Sequence, residues 1–365
     1  MPESRLHQLS ALGQSVWIDY LSRSLLHSGG LARLMEEDAV TGVTSNPTIF
    51  QKAIAEGNAY DEQMRDLLEH EDDAKEIFIA LAGRDVGEAC DLMRRVRDEG
   101  KGLRGWVSFE VDPTLANETE STIAEAKRLA ALVDKPNLYI KIPATKAGLP
   151  AIEEMIAAGQ SINVTLIFSI ERHREVMNSY MRGIERLIES GGDPRTVGSV
   201  ASYFVSRVDT EADKRLESHP ELQGKLAVAN AKLAYESWKD VFAGERWATL
   251  EAQGATRQWC LWASTSTKNP AYRDVLYVED LIGPDTVNTM PEETIEAFQD
   301  HGEVRFTLEE GIDEARKVFD DVEAAGVSVD DVTRVLEEEG VQKFADSFAE
   351  LLDGIREKRG ELVSA

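Results

Sequence analysis

The sequence predicts an α/β chain closed into a (β/α)8 TIM barrel, with extra helices at the N-terminus, between the second and third strands, and at the C-terminus. Three observations lead there. Short apolar stretches rich in β-branched and aromatic residues alternate with amphipathic helical stretches along most of the 365 residues. These strands are apolar on both faces, as in a parallel sheet covered by helices. Eight of them can be counted, which at this length favours a closed barrel over an open doubly wound sheet. No GxGxxG follows the first strand, so the main mark of a dinucleotide-binding sheet is absent.

In order, the strands are VWIDY (residues 16–20), TGVTSN (41–46), GWVSFEV (105–111) and LYIKIP (138–143), then INVTLIF (162–168), GSVASYFVS (198–206), QWCLWAS (258–264) and DTVNTM (285–290). Residues 51–104 exceed what one crossover needs and are expected to hold several helices outside the barrel. Val176, Tyr180, Ile184, Leu187 and Ile188 recur at helical spacing, as do Phe344, Phe348, Leu351, Leu352 and Ile355 near the end. No Ser/Gly-rich linker, low-complexity tract or internal repeat interrupts the pattern, so residues 1–365 read as one barrel domain. The C-terminal helix is expected to pack against it.

Composition bounds the function. Hydrophobic residues make up 42% of the chain, enough for a large core, yet no stretch approaches the roughly 20 apolar residues of a membrane span. The start, MPESRLHQLS, lacks the basic and apolar segments of a signal peptide. Cys90 and Cys260, far apart and outside any CxxC spacing, fit free thiols in a reducing cytoplasm. A net charge of −27 argues against a nucleic-acid partner, which needs a basic footprint. It does not exclude a locally positive cleft for a small anion.

In such a barrel the chemistry sits at the C-terminal ends of the strands. Those ends carry Asp19, Asn46, Glu110, Lys141, Asn163, Thr165, Ser202, Arg207 and Ser264. Lys141 stands out, because it interrupts an apolar strand two residues before Pro143. A buried lysine is costly unless it pairs or gives up its proton. A neutral amine can attack a carbonyl and form an imine that accepts electrons from a breaking carbon–carbon bond. Each residue also has a plainer account: Asp19 as a cap for a helix starting near Leu21, Asn46-Pro47 as a turn, Glu110 with Asp112 as a solvent-facing pair. Caps and turns do not explain a lysine inside a strand.

TGVTSNPTIF, YIKIPAT, INVTLIFS and WIDYLSR together resemble the transaldolase family, in its longer bacterial form, over about residues 6–352. The resemblance implies a metal-free, cofactor-free Schiff-base mechanism on a barrel that handles small-molecule sugar phosphates. It implies that Lys141 forms the Schiff base, that Asp19 is the acid/base at the C4 hydroxyl, and that Glu110 and Thr165 position the water of dehydration. Asn46 and Asn163 would hold the dihydroxyacetone unit, and Ser202, Phe204 and Arg207 would face substrate and its phosphate. Two departures stand out. Tyr203 replaces a proline common in the family. After the seventh strand, ASTSTKNP offers Ser264, Ser266 and Lys268 where many relatives have an arginine. Lys268 is then the expected second phosphate cation, a point charge and not a planar fork.

The six histidines are scattered, and no HxH, HExxH, GxSxG or GxxxxGK[ST] motif occurs. No metal site is therefore expected. The nearest alternative is a fructose-6-phosphate aldolase, which the resemblance associates with Gln and Tyr at positions 110 and 204. A more distant one is a non-catalytic sugar-phosphate-binding barrel, which would not need Lys141. The expected assembly is a monomer or a homodimer.

Overall fold

The computed structural model describes residues 4–55, 57–100 and 102–364. Its centre is a closed parallel barrel whose strands follow in chain order, the last returning to the first. They are β1 (Gln14–Asp19), β2 (Val40–Thr44), β3 (Trp106–Glu110), β4 (Leu138–Pro143), β5 (Ile162–Ile167), β6 (Ser199–Phe204), β7 (Trp259–Ala263) and β8 (Thr286–Met290). Each coincides with one of the eight apolar stretches, within a few residues at its ends.

Helices occupy every crossover. α1 (Arg5–Ala11) precedes the barrel, and α2 (Arg23–His27) and α3 (Gly30–Glu37) join β1 to β2. α4 (Pro47–Ala55), α5 (Asp61–Leu67) and α6 (Ala74–Glu99) fill the long insertion. α7 (Thr119–Val133), α8 (Gly148–Ala157) and α9 (Ile170–Glu189) follow β3, β4 and β5. α10 (Ser206–Arg215), α11 (Leu226–Phe242) and α12 (Glu245–Glu251) follow β6, and α13 (Leu276–Glu279) follows β7. α14 (Glu292–His301), α15 (Ile312–Ala324) and α16 (Val329–Ser364) end the chain.

The insertion is less external than its length suggests. α6 packs on β2 and β3 and buries Ile77, Leu81, Val86 and Met93, so it serves as the crossover helix itself. Only α4 and α5 are additions, lying against α16 and α6 respectively. α16 also packs on α6 and α10, where Phe348 meets Phe78 edge-on at 5.8 Å.

Strand side chains alternate, so every second residue enters the barrel. Trp17 on β1 stacks across the interior on Tyr139 of β4 at 6.0 Å, and Tyr139 stacks on Trp106 of the adjoining β3 at 4.0 Å, making an aromatic floor. Gly42 leaves room for it, since a Cβ there would lie 2.4 Å from the Trp17 indole. Two residues further along each strand, the inward positions are Asp19, Thr44, Ser108 and Lys141. The barrel thus changes from an apolar floor to a polar upper layer within one residue pair per strand.

Candidate active site

Lys141 lies on β4 directly between Glu110 of β3 and Asn163 of β5 in the strand register. Its ammonium donates to the backbone carbonyl of Ser45 at 2.7 Å and to Glu110 Oε2 at 3.2 Å. Both side chains are 8% exposed. Burial raises the Glu110 carboxyl above its usual range, against the pull of Lys141. Asp19 accepts from Thr44 Oγ1 at 2.8 Å, and Thr44 shares a 2.6 Å contact with Thr289. Burial raises the Asp19 carboxyl too, with Lys141 and Thr44 opposing.

A pocket of about 150 Å³ opens on this layer. Ten of the twelve residues singled out in the sequence line it: Asp19, Asn46, Lys141, Thr165, Ser202, Phe204, Arg207, Ser264, Ser266 and Lys268. The other two stand one step back. Asn163 is fully buried, accepts from Ser202 Oγ at 2.7 Å and donates to Ser108 at 3.2 Å, so it orients Ser202 from behind. Glu110 reaches Lys141 from a neighbouring small apolar cavity bounded by Phe50, Phe78 and Phe348.

The plainer accounts separate cleanly. Asp19 caps nothing: helix α2 begins at Arg23, and Ser22 Oγ caps it by accepting from Leu25 N at 3.1 Å. Asn46 has two faces, because its Oδ1 accepts from Ile49 N at 3.1 Å at the start of α4 while the residue lines the pocket. Glu110 and Asp112 diverge, the first to Lys141 and the second to Lys75 at 2.8 Å.

Thr165 Oγ1 and Arg207 Nη1 are buried without a hydrogen-bond partner. Both residues face the pocket, so a ligand or water can satisfy them. Arg207 lies just beyond β6, in the first turn of α10. The β7–β8 side is looser. Ser264 adopts a left-handed φ of 57° just past β7, and its hydroxyl contacts that of Ser206 at 2.9 Å. Exposed Lys268 donates to Ser266 at 2.6 Å. Tyr203 points away from the pocket, against His173 at 5.6 Å and Trp262 at 6.2 Å, so this departure does not touch the site.

Thr44, Thr289 and Phe344 also line the pocket and were not singled out by sequence. Thr44 and Thr289 read there as ordinary strand formers, and Phe344 as one more apolar position of the last helix. Lys141, Arg207 and Lys268 face one carboxylate, Asp19, across the pocket, a cationic excess on a chain of net charge −27. Among the described residues no group of three or more His, Cys, Asp or Glu side chains is arranged to hold a metal.

A barrel with a buried lysine beside two carboxylates, and cations at the pocket rim, has the architecture of a lysine-dependent aldolase or a transferase built on the same chemistry. A family model described as Transaldolase/Fructose-6-phosphate aldolase matches residues 16–355, and the chain belongs to that family. It is 53% identical to a transaldolase of Frankia alni over 361 residues, 97% of each chain. A Streptomyces avermitilis protein named Transaldolase 2 is 51% identical over 353 residues, 95% of each chain. A Mycolicibacterium smegmatis transaldolase is 51% identical over 366 residues, 99% of this chain and 98% of that one.

Proposed function

We propose that this chain is a transaldolase that moves a dihydroxyacetone unit from sedoheptulose 7-phosphate to glyceraldehyde 3-phosphate, giving erythrose 4-phosphate and fructose 6-phosphate. The observation that carries the reading is Lys141, buried within 3.2 Å of Glu110 at the base of a cationic pocket. Lys141 Nζ attacks the ketose C2. A carboxylate whose basicity burial has raised can take the ammonium proton first, and Glu110 fits that part.

The carbinolamine then loses water, with Glu110 and the unpartnered Thr165 hydroxyl holding that water. Asp19 removes the proton from the C4 hydroxyl, the C3–C4 bond breaks, and its electrons pass into the protonated imine as an enamine. The aldehyde product leaves. C3 of the enamine attacks the incoming aldehyde, Asp19 returns its proton to the new hydroxyl, and hydrolysis frees Lys141. Asn46 and Ser202 hold the dihydroxyacetone hydroxyls, and Asn163 orients Ser202 from behind. Arg207, with Ser264 and Lys268, holds phosphate.

Transfer is favoured over simple aldol release because Glu110 and Phe204 stand where the aldolase relatives are associated with Gln and Tyr. An apolar ring beside the imine denies the enamine a hydroxyl-bound water. The chain is read as one domain, acting in the cytoplasm as a monomer or homodimer. No helix among the described residues is long and apolar enough to cross a membrane.

The test is borohydride reduction in the presence of fructose 6-phosphate, followed by peptide mass spectrometry. The expected result is a covalent adduct at Lys141. An adduct at another lysine, or none, would refute the mechanism.

A further inference from the structure

Arg207 is held in an unusual way. No hydrogen bond or ion pair to a described residue engages its guanidinium, and its Nη1 is buried without a partner. Two aromatic rings flank it, its Cζ lying 5.0 Å from the centroid of Phe204 and 5.8 Å from that of Phe344, while the Asp19 and Glu339 carboxylates act on it only through space. The two rings are tilted at 64° with centroids 6.5 Å apart. Phe204 ends β6, whereas Phe344 comes from α16, well over a hundred residues away.

Helix α16 is fitted to that place. One turn before Phe344, a Cβ on Gly340 would lie 3.2 Å from Leu166 Cδ2 and 3.5 Å from Phe168, so the helix comes down close on the mouth of β5. Leu166 sits there at a φ of 58°, where the β5–β6 register shifts between Val164 and Ile167. Such an irregularity re-aims a strand side chain. One turn after Phe344, Phe348 packs on Phe78 of α6. Gly340, Phe344 and Phe348 therefore form one stripe that fixes the helix at the barrel rim.

We propose that Phe344 is a positioning residue for Arg207, so that the C-terminal helix sets how strongly the site prefers phosphorylated substrates. The inference rests on the reading of Arg207 as the phosphate anchor. A carboxylate partner would orient the guanidinium but neutralise it, and an incoming phosphate would have to displace it. Aromatic rings hold the cation by cation–π attraction and leave its charge and N–H edges available. With Phe344 cut back, one of the two ring contacts is lost and the guanidinium is free to turn. Phosphate binding suffers while the bond-making groups, on β1, β3, β4 and β5, are untouched.

The test compares Phe344→Leu, Phe344→Tyr and Arg207→Ala on fructose 6-phosphate and on unphosphorylated fructose, with one common acceptor, and adds inorganic phosphate as a competitive inhibitor. For Phe344→Leu the KM for fructose 6-phosphate should rise about 5- to 30-fold, a range that follows from cation–π strengths. Its kcat should stay within about 2-fold, its efficiency on fructose should not change, and the phosphate inhibition constant should rise in step. Phe344→Tyr, which keeps the ring, should behave like the parent. If Phe344→Leu matches the parent, or loses equally on both donors, the positioning role is wrong even where Arg207→Ala discriminates between them. If Arg207→Ala treats both donors alike, the phosphate reading itself fails, and the role of Phe344 falls with it.

Discussion

Glu110 Oε2 stands 3.2 Å from Lys141 Nζ, and the two residues are lateral partners in the register of β3 and β4. Neighbouring parallel strands hold the pair rigidly, since a slip of one residue would turn either side chain out of the barrel. Glu110→Gln keeps the shape and removes the proton acceptor. The expected result is a fall in kcat of about 10²-fold or more, within the range for a positioned acid–base group. Single-turnover trapping should locate the loss in imine formation. A variant with unchanged imine formation would leave Glu110 as packing for the lysine stem.

Asp19→Asn should slow carbon–carbon cleavage by about 10²–10⁴-fold while leaving imine formation close to normal. Rapid quenching with borohydride separates the two steps. Near-normal turnover would remove Asp19 from proton transfer.

Burial raises both the Asp19 and the Glu110 carboxyls above 3.8 and 4.5, their ordinary values. A base must be deprotonated to act, so the acidic limb of kcat/KM should fall at a pH above that of an exposed carboxylate. The same shift has a cost in stability. A carboxyl whose folded pKa exceeds its unfolded one binds protons more readily in the fold. It destabilises the fold above the folded pKa, and the penalty vanishes as pH drops to the unfolded value. Asp19→Asn should therefore be at least as stable as the parent at pH 7, with the advantage shrinking toward pH 4. Urea midpoints across that range measure it.

Arg207→Ala should lower kcat/KM about 10- to 150-fold on fructose 6-phosphate, the equivalent of losing a charge-assisted pair worth about 1.5–3 kcal/mol. On unphosphorylated fructose the loss should be small. Equal losses would mean that Arg207 supports the pocket, and Ser264, Ser266 and Lys268 would then hold the phosphate.

Arg23 of α2, Tyr60 just before α5 and Asp85 of α6 form a buried network. Arg23 donates to Asp85 Oδ1 at 2.8 Å and 2.9 Å, and Tyr60 donates to Oδ2 at 2.7 Å. Asp85→Ala would leave a buried arginine uncompensated, which typically costs about 3–5 kcal/mol. A reduced denaturation midpoint with near-normal KM in the surviving protein is the expected outcome. A midpoint equal to the parent's would show that water replaces the carboxylate.

Much of this was legible in the chain itself. The eight strands could be read because a parallel barrel buries both strand faces, which leaves near-continuous apolar runs such as LYIKIP and INVTLIF. Lys141 could be read as chemical because a charge in such a run is expensive. Their position at the C-terminal ends of such strands then brought Asp19, Glu110 and Thr165 forward as candidates. What sequence could not carry was any relation between distant segments. Whether Asp19 caps a helix or faces Lys141 depends on where β1 closes against β2 and β8. That Asn163 acts through Ser202 depends on the β5–β6 register. Phe344 repeats at helical spacing like any core residue, and only the docking of α16 brings its ring to Arg207. Local pattern determined which residues form strands and helices and which polar residues end the strands, because those follow from composition and periodicity along the chain. The tertiary structure alone decided which of them meet, because contact across a closed barrel is set by packing between segments far apart in sequence.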